Sequence, residues 1–348
     1  MSKFRFVPTQ ELPAFLEFLS QKGRVLAPAE KPADRQSVVF EPWTPGKAFT
    51  LAKATVAPRR AVLPESEVLL SYRQASPEAP IELECVIEAE PTFVFGSRFC
   101  DARGFVVFDR PYLHGPYADP YYKARREGLC VLTLTCDSGC NTCFCHWVGG
   151  GPTSPEGSDV LMTGVDGGLV LQAISKAGEA LLEDSPLADG QQKFAEAEEV
   201  RKKAWASLKP APDISDAPKS LAAIFSDEQF WTDVTAKCIS CGACTYFCPT
   251  CYCFNITDEG TPQEPSGGRR LRSWDNCMSS LFTREASGHN PRARKAQRMR
   301  NRVSHKFCTY PENWGAFSCS GCGRCIANCP VKLDIRAIVL SGIQTAAR

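Results

Sequence analysis

The stretch Cys238-Ile-Ser-Cys241-Gly-Ala-Cys244-Thr-Tyr-Phe-Cys248-Pro249 returns near the end of the chain as Cys319-Ser-Gly-Cys322-Gly-Arg-Cys325-Ile-Ala-Asn-Cys329-Pro330. Both copies follow C-x2-C-x2-C-x3-C-P, the run that holds a [4Fe–4S] cluster in bacterial two-cluster ferredoxins. A cubane needs four thiolates at tetrahedral corners. Three cysteines two residues apart let one short loop wrap a face of it, with backbone N–H groups turned toward the sulfurs. The fourth cysteine, ahead of proline, leaves in another direction and ligates the other cluster. The spacing therefore pairs Cys238, Cys241 and Cys244 with Cys329, and Cys319, Cys322 and Cys325 with Cys248. A zinc ribbon would need only paired C-x2-C units, leaving the third cysteine and the Cys-Pro ending unexplained in both copies.

Outward from these loops, the composition narrows the reading. The 348 residues suffice for two domains with cores of their own, and a net charge of +1 argues against a chain built mainly to hold nucleic acid or an anionic membrane. Met1-Ser-Lys-Phe-Arg-Phe-Val-Pro8 contains no apolar signal core or twin arginine, and no apolar run approaches a bilayer span. The expectation is a cytoplasmic protein without a membrane span. Nineteen cysteines in such a chain point to metal rather than disulfides.

The expected fold class is α+β: an N-terminal mixed α/β domain over 1–210, then an α-helical dicluster ferredoxin domain over 219–348. Glu11 to Gly23 reads as an amphipathic helix closed by glycine. Strands are expected at Gln36 to Phe40, Glu67 to Tyr72, Ile81 to Ile87, Thr92 to Phe95 and Cys130 to Cys136. Two more flank the Asp-Gly-Gly turn within Asp159 to Ile174, and a helix covers Gln192 to Leu208. The proline-rich connector Lys209 to Pro218 marks the boundary. Beyond it, Ser226 begins a capping-box sequence, S-x-x-Q. The long insert between the cluster loops is expected to be helical, from the spacing over Cys277 to Ser287 and the Asn290-Pro291 start signal. Asp334 caps a last helix, Ile335 to Ala346.

A third cysteine group, Cys136-Asp-Ser-Gly-Cys140-Asn-Thr-Cys143-Phe-Cys145, follows an expected strand. Cys100 follows another. In α/β sheets ligands gather outside the carboxyl ends of strands, so the two loops could meet there. A third Fe–S cluster would draw on Cys136, Cys140, Cys143 and Cys145, with Cys100 able to replace one. A zinc site or packed thiols is the alternative. Cys251 and Cys253 read as packing thiols beside the first cluster loop, with spare ligation as the other reading. Cys85, Cys130, Cys277 and Cys308 read as core thiols.

With those residues in view, the chain resembles the iron–sulfur beta subunit of cytoplasmic sulfhydrogenases, NiFe hydrogenases that also reduce sulfur. One of the anaerobic sulfite reductase subunits shares that family, as do beta-type proteins that accompany heterodisulfide reductases. The resemblance is carried by Phe95-Gly-Ser-Arg-Phe-Cys-Asp-Ala-Arg103, Asp119-Pro-Tyr-Tyr-Lys-Ala-Arg-Arg-Glu127, and Cys140-Asn-Thr-Cys-Phe-Cys145 with Gly149-Gly-Gly-Pro152. It continues through Cys248-Pro-Thr-Cys-Tyr-Cys-Phe254, Trp274-Asp-Asn-Cys277, Gly288-His-Asn-Pro-Arg292 and His305-Lys-Phe307. It covers roughly residues 90 to 340. Phe99 stands where members commonly carry proline, and His146-Trp-Val-Gly149 where they tend to carry Ser-Met-Gly. The resemblance implies an electron-transfer protein between a catalytic metalloenzyme subunit and a flavin/NAD(P)H-binding subunit, with Cys100 a ligand of the third cluster. Electron transfer is then its part, with no substrate chemistry of its own.

Two rival readings stand beside it. The N-terminal domain could itself bind flavin or substrate through Gly149-Gly-Gly-Pro152 and His114 or His146, although no G-x-G-x-x-G or P-loop is present. A zinc-dependent nucleic-acid module is the other, opposed by the doubled cysteine run. Between Arg269 and Lys306 lie eleven arginines and lysines against Asp275 and Glu285 alone. They either offset cluster charge and dock an acidic partner, or form a solvated helix face.

Overall fold

The computed structural model describes residues 4–31, 34–261 and 264–348. In chain order, β1 (Phe4–Pro8) leads into α1 (Leu12–Ser20), then β2 (Arg24–Lys31), β3 (Asp34–Trp43), β4 (Ser66–Gln74), β5 (Ile81–Cys85) and β6 (Thr92–Ser97). Next come α2 (Phe99–Leu113), α3 (Pro120–Glu127), β7 (Leu129–Leu134), β8 (Val160–Val165), β9 (Gly168–Ala173), α4 (Lys176–Asp184), β10 (Ala188–Asp189) and α5 (Phe194–Ala206). The remainder holds α6 (Ala217–Ala223), α7 (Glu228–Val234), α8 (Ala243–Tyr246), β11 (Phe254–Thr261), β12 (Glu264–Trp274) and α9 (Lys295–Ser304). A π-helical turn (His305–Thr309), α10 (Tyr310–Trp314), α11 (Arg324–Ala327) and α12 (Ile335–Ala346) complete it.

The larger sheet runs β10-β1-β9-β8-β7-β6-β2-β3, with β2, β6, β7 and β8 parallel. The run Thr92–Ser97 is buried throughout, as expected of a parallel strand covered on both faces. One face packs on Phe15, Leu16 and Leu19 of α1, the other on Phe105 and Phe108 of α2. β6 and β7 therefore end side by side, with α2 leaving from one and the Cys136–Cys145 loop from the other.

The smaller sheet, β11-β12-β4-β5, corrects the expectation of a helical insert. Residues 254–274 form a hairpin, and β12 continues onto β4 (Arg272 opposite Glu67). Arg272 belongs to no helix face: it turns inward, its Nε 2.7 Å from Glu67, with Asp119 as its second carboxylate partner. Strands on both sides of the 209–218 connector thus share one sheet. A core of Ile214, Leu221, Trp231, Val303 and Ile338 also takes in Phe144 and Val148 from before it.

Other start signals shift. Residues 277–287 form turns, because the Asn276 side chain accepts from Met278 N (3.1 Å) and offers the backbone a local alternative to helix. Asn290 is likewise occupied by Arg292 N (3.1 Å), and α9 begins only at Lys295. Asp227 rather than Ser226 caps α7, accepting from Phe230 N at 2.9 Å. Asp334 caps α12 through Arg336 N. Cys277 and Cys308 are buried and Cys130 half-buried, but Cys85 is exposed on β5, whose neighbours Ile81 and Leu83 are exposed too.

Candidate metal centres

The two C-x2-C-x2-C loops adopt one geometry. In each, a positive-φ residue and a positive-φ glycine flank the second cysteine: Ser240 (58°) and Gly242 (78°) in the first, Gly321 (64°) and Gly323 (73°) in the second. The left-handed residues curl the chain around its own centre and start the short helices α8 and α11, which pack on each other. Curling turns N–H groups onto sulfur, with Ser240 N donating to Cys238 Sγ and Gly321 N to Cys319 Sγ, both at 3.4 Å. Leu333 N donates to Cys329 Sγ at 3.2 Å.

Cys238, Cys241, Cys244 and Cys329 line one cavity, together with apolar Met278, Met299, Val331, Leu333 and Ile335. Cys248, Cys319, Cys322 and Cys325 line a second. Cys325 lies on the wall of both. Among the described residues no three cysteine, histidine or acidic side chains converge on a single ion position. The thiols ring cavities instead. A donor set of four cysteines with N–H groups aimed at sulfur fits an Fe–S cubane.

Buried cations line the two cavities, Arg302 on the walls of both and Lys306 on that of the second. Arg302 Nη2 donates to Cys244 O (2.6 Å), while Nη1 reaches Cys251 Sγ (3.5 Å) and Thr245 Oγ1 (3.4 Å). Lys306, carried inward by the π turn, donates to Thr250 Oγ1 and Ser318 O, both at 2.8 Å. Burial would discharge Lys306, but the sulfurs of Cys248 and Cys251 hold its pKa above the ordinary lysine value. Beside it Ser320 Oγ is buried without a partner. The basic run is therefore not one solvated helix face. Arg272, Arg298, Arg302 and Lys306 are interior, whereas Arg270 and Arg294 sit outside in ion pairs with Asp258 and Glu228.

Cys100, Cys136, Cys140, Cys143 and Cys145 all line a third cavity, of about 240 Å³, at the carboxyl ends of β6 and β7. Cys100 sits on the first turn of α2, whose N-cap N–H at Arg98 donates to Asp101 Oδ2 (3.1 Å). Near the ends of β6 and β7, buried Ser97, Thr133 and Ser158 are linked by hydroxyl hydrogen bonds of 3.1 and 2.7 Å. Gly151 and Pro152 contribute a wall rather than a phosphate cradle. His146 Nε2 lies 3.0 Å from Lys209 O, and His114 is exposed at the end of α2.

Three further residues of this site escape sequence reasoning. Cys322, from the second ferredoxin-type loop, also lines the third cavity. Lys53 Nζ donates to Cys322 O (2.8 Å) and stands 3.8 Å from Cys140 Sγ. Burial would lower its pKa, yet Cys100, Cys322 and Cys140 hold it above the ordinary value. Arg324 Nη1 lies 4.0 Å from Cys100 Sγ and pairs with buried Asp101 at 2.6 Å. For Arg324 a signal existed, since the first loop has Ala243 at the same place. Lys53 stands in no pattern.

Residues 237–333 match a protein family described as a 4Fe-4S dicluster domain. Over 333 residues, 94% of each chain, the sequence is 28% identical to sulfhydrogenase 2 subunit beta of Pyrococcus furiosus. No solved structure matches it. Among the described residues no helix is long and apolar enough to cross a membrane. The chain is thus an iron–sulfur electron-transport protein that resembles the sulfhydrogenase beta subunits along nearly its whole length, with its dicluster domain at residues 237–333.

Proposed function

We propose that the chain is the electron-transfer subunit of a cytoplasmic oxidoreductase complex. It passes single electrons between a catalytic metalloenzyme subunit, of the hydrogenase, sulfite reductase or heterodisulfide reductase kind, and a flavin/NAD(P)H-binding subunit. The likeness to a sulfhydrogenase subunit supports that placement. Three [4Fe–4S] clusters would supply the one-electron carriers. Cys238, Cys241, Cys244 and Cys329 hold the first, and Cys319, Cys322, Cys325 and Cys248 the second, within a two-cluster domain over 219–348 whose insert carries the β11–β12 hairpin. Four of Cys100, Cys136, Cys140, Cys143 and Cys145 hold the third, within a mixed α/β domain over 1–210.

One observation carries this reading: neighbouring cavities share a cysteine wall, Cys325 between first and second, Cys322 between second and third. The chain's own residues hold the line together and set its charge. Arg302 and Lys306 offset negative charge between the first two sites, and Lys53 and Arg324 do so between the second and third. The outer thiols Cys241 and Cys140 are the exposed ones, which gives the line an accessible end on either side. Isolation of the native complex tests the assignment. Both a flavoprotein and a metalloenzyme subunit should copurify, and Cys140→Ser should interrupt electron flow between them. Copurification with neither would contradict it.

A further inference from the structure

Three thiols remain outside those ligand sets yet lie close to them. Cys251 and Cys277 are buried and Cys253 half-buried, and all three are free thiols. The hairpin brings two of them together. Phe254 pairs with Trp274, Asp275 N donates to Cys253 O at 3.0 Å, and the Cys253 side chain packs against the core cluster that holds Cys277. Cys277 Sγ lies 3.8 Å from Thr245 Oγ1, the residue after Cys244 at the first site. On the other side Cys251, two residues before Cys253, follows Cys248 of the second site by three residues and is buried as it is.

We propose that Cys253 and Cys277 are a dithiol/disulfide couple that exchanges electrons with the two ferredoxin-type clusters, an inference resting on the electron-transfer reading above. In the reducing direction the Cys253–Cys277 bond breaks as each reduced cluster gives one electron and two protons arrive, leaving two thiols. In the oxidising direction the S–S bond forms, both protons leave, and each cluster regains one electron. The site thus joins one-electron carriers to a two-electron step. Protons reach it through Cys253, the more exposed partner.

The surroundings suit the thiolate passed through on the way. Arg302 spans both sides, donating to Cys244 O and approaching Cys251 Sγ. Buried Arg59 lies 3.5 Å from the Trp274 ring centre, donates to Cys251 O, and keeps Nε and Nη2 without partners. The neighbouring Cys253 side chain, with Arg302 behind it, holds Cys277 below the ordinary thiol pKa, while Cys253 is held above it.

The test uses the anaerobic holoprotein equilibrated in dithiothreitol buffers of graded potential, quenched with iodoacetamide and mapped by mass spectrometry. At the oxidising end Cys253 and Cys277 should appear as one disulfide-linked peptide pair, and both should become alkylated together toward the reducing end. Coulometric reduction should deliver about two electrons per chain more to the wild type than to Cys253→Ser or Cys277→Ser, with iron and sulfide content unchanged. Alkylation of both residues at every potential, or equal electron uptake, would overturn the proposal. So would a loss of about four irons in either variant, which would make these thiols cluster ligands instead. The wild-type mapping needs no variant to fold. It also separates this couple from the electron-transfer reading, which fails on a wild type without iron whatever the thiols do.

Discussion

Lys53 is the cation nearest the third site, 3.8 Å from Cys140 Sγ. A positive charge there favours the reduced, more negative cluster, so Lys53→Met should lower that cluster's potential. The expected size is about 1–2 kcal/mol, or ~40–90 mV for one electron, in an EPR-monitored redox titration. His305 offers a test independent of iron chemistry. Burial first, then Lys306 and Arg302, push its pKa down to about 4, and its Nε2 meets Tyr252 Oη at 3.2 Å. The imidazole is neutral in the fold but protonated in the unfolded chain below about 6.5. Its contribution is therefore whole above that value and is lost as pH falls toward the folded pKa. Between pH 7 and 5 the wild type should lose about 2 kcal/mol more stability than His305→Asn, measured by urea unfolding under argon.

At the scale of elements, the equivalent positions Ser240 and Gly321 separate backbone demand from packing. Both are left-handed, yet serine occupies the first. At Gly321 a Cβ would stand 2.4 Å from Cys145 N, and the Gly321 carbonyl accepts from Phe144 N at 2.7 Å. Gly321→Ser should cost about 2–3 kcal/mol and loosen the joint between the second and third sites. Ser240→Gly should change stability by less than ~1 kcal/mol in the same urea experiment. The cluster loops were legible in the sequence because ligand spacing is a local constraint. So were α1, α5, α12 and the strands beside the third site, whose periodicity belongs to single segments. The β11–β12 hairpin was not, because Arg272 looks like a surface charge until its partners Glu67 and Asp119 arrive from distant segments. Cys322 and Lys53 were hidden for the same reason, their role at the third site being fixed by tertiary contact alone.

Across the whole molecule, the two halves are joined by burial as well as by strands. Asp101 at the start of α2 and Arg324 in α11, both fully enclosed, form an ion pair 223 residues apart in sequence. Asp101→Asn would leave Arg324 buried beside thiols with its charge uncompensated. It should cost about 3–5 kcal/mol, whereas Asp101→Leu combined with Arg324→Met should cost less, in chemical denaturation of the holoprotein. The same joint keeps the third cavity against the second, and on that adjacency the proposed electron line depends. Iron and acid-labile sulfide per chain, counted for wild type and for Cys136→Ser/Cys140→Ser, test it most directly. Three clusters predict about twelve irons in the wild type and about eight in the double variant, which should lose one reduced-state EPR signal and keep two. About eight irons in both proteins, or zinc in place of iron at Cys136–Cys145, would contradict the account.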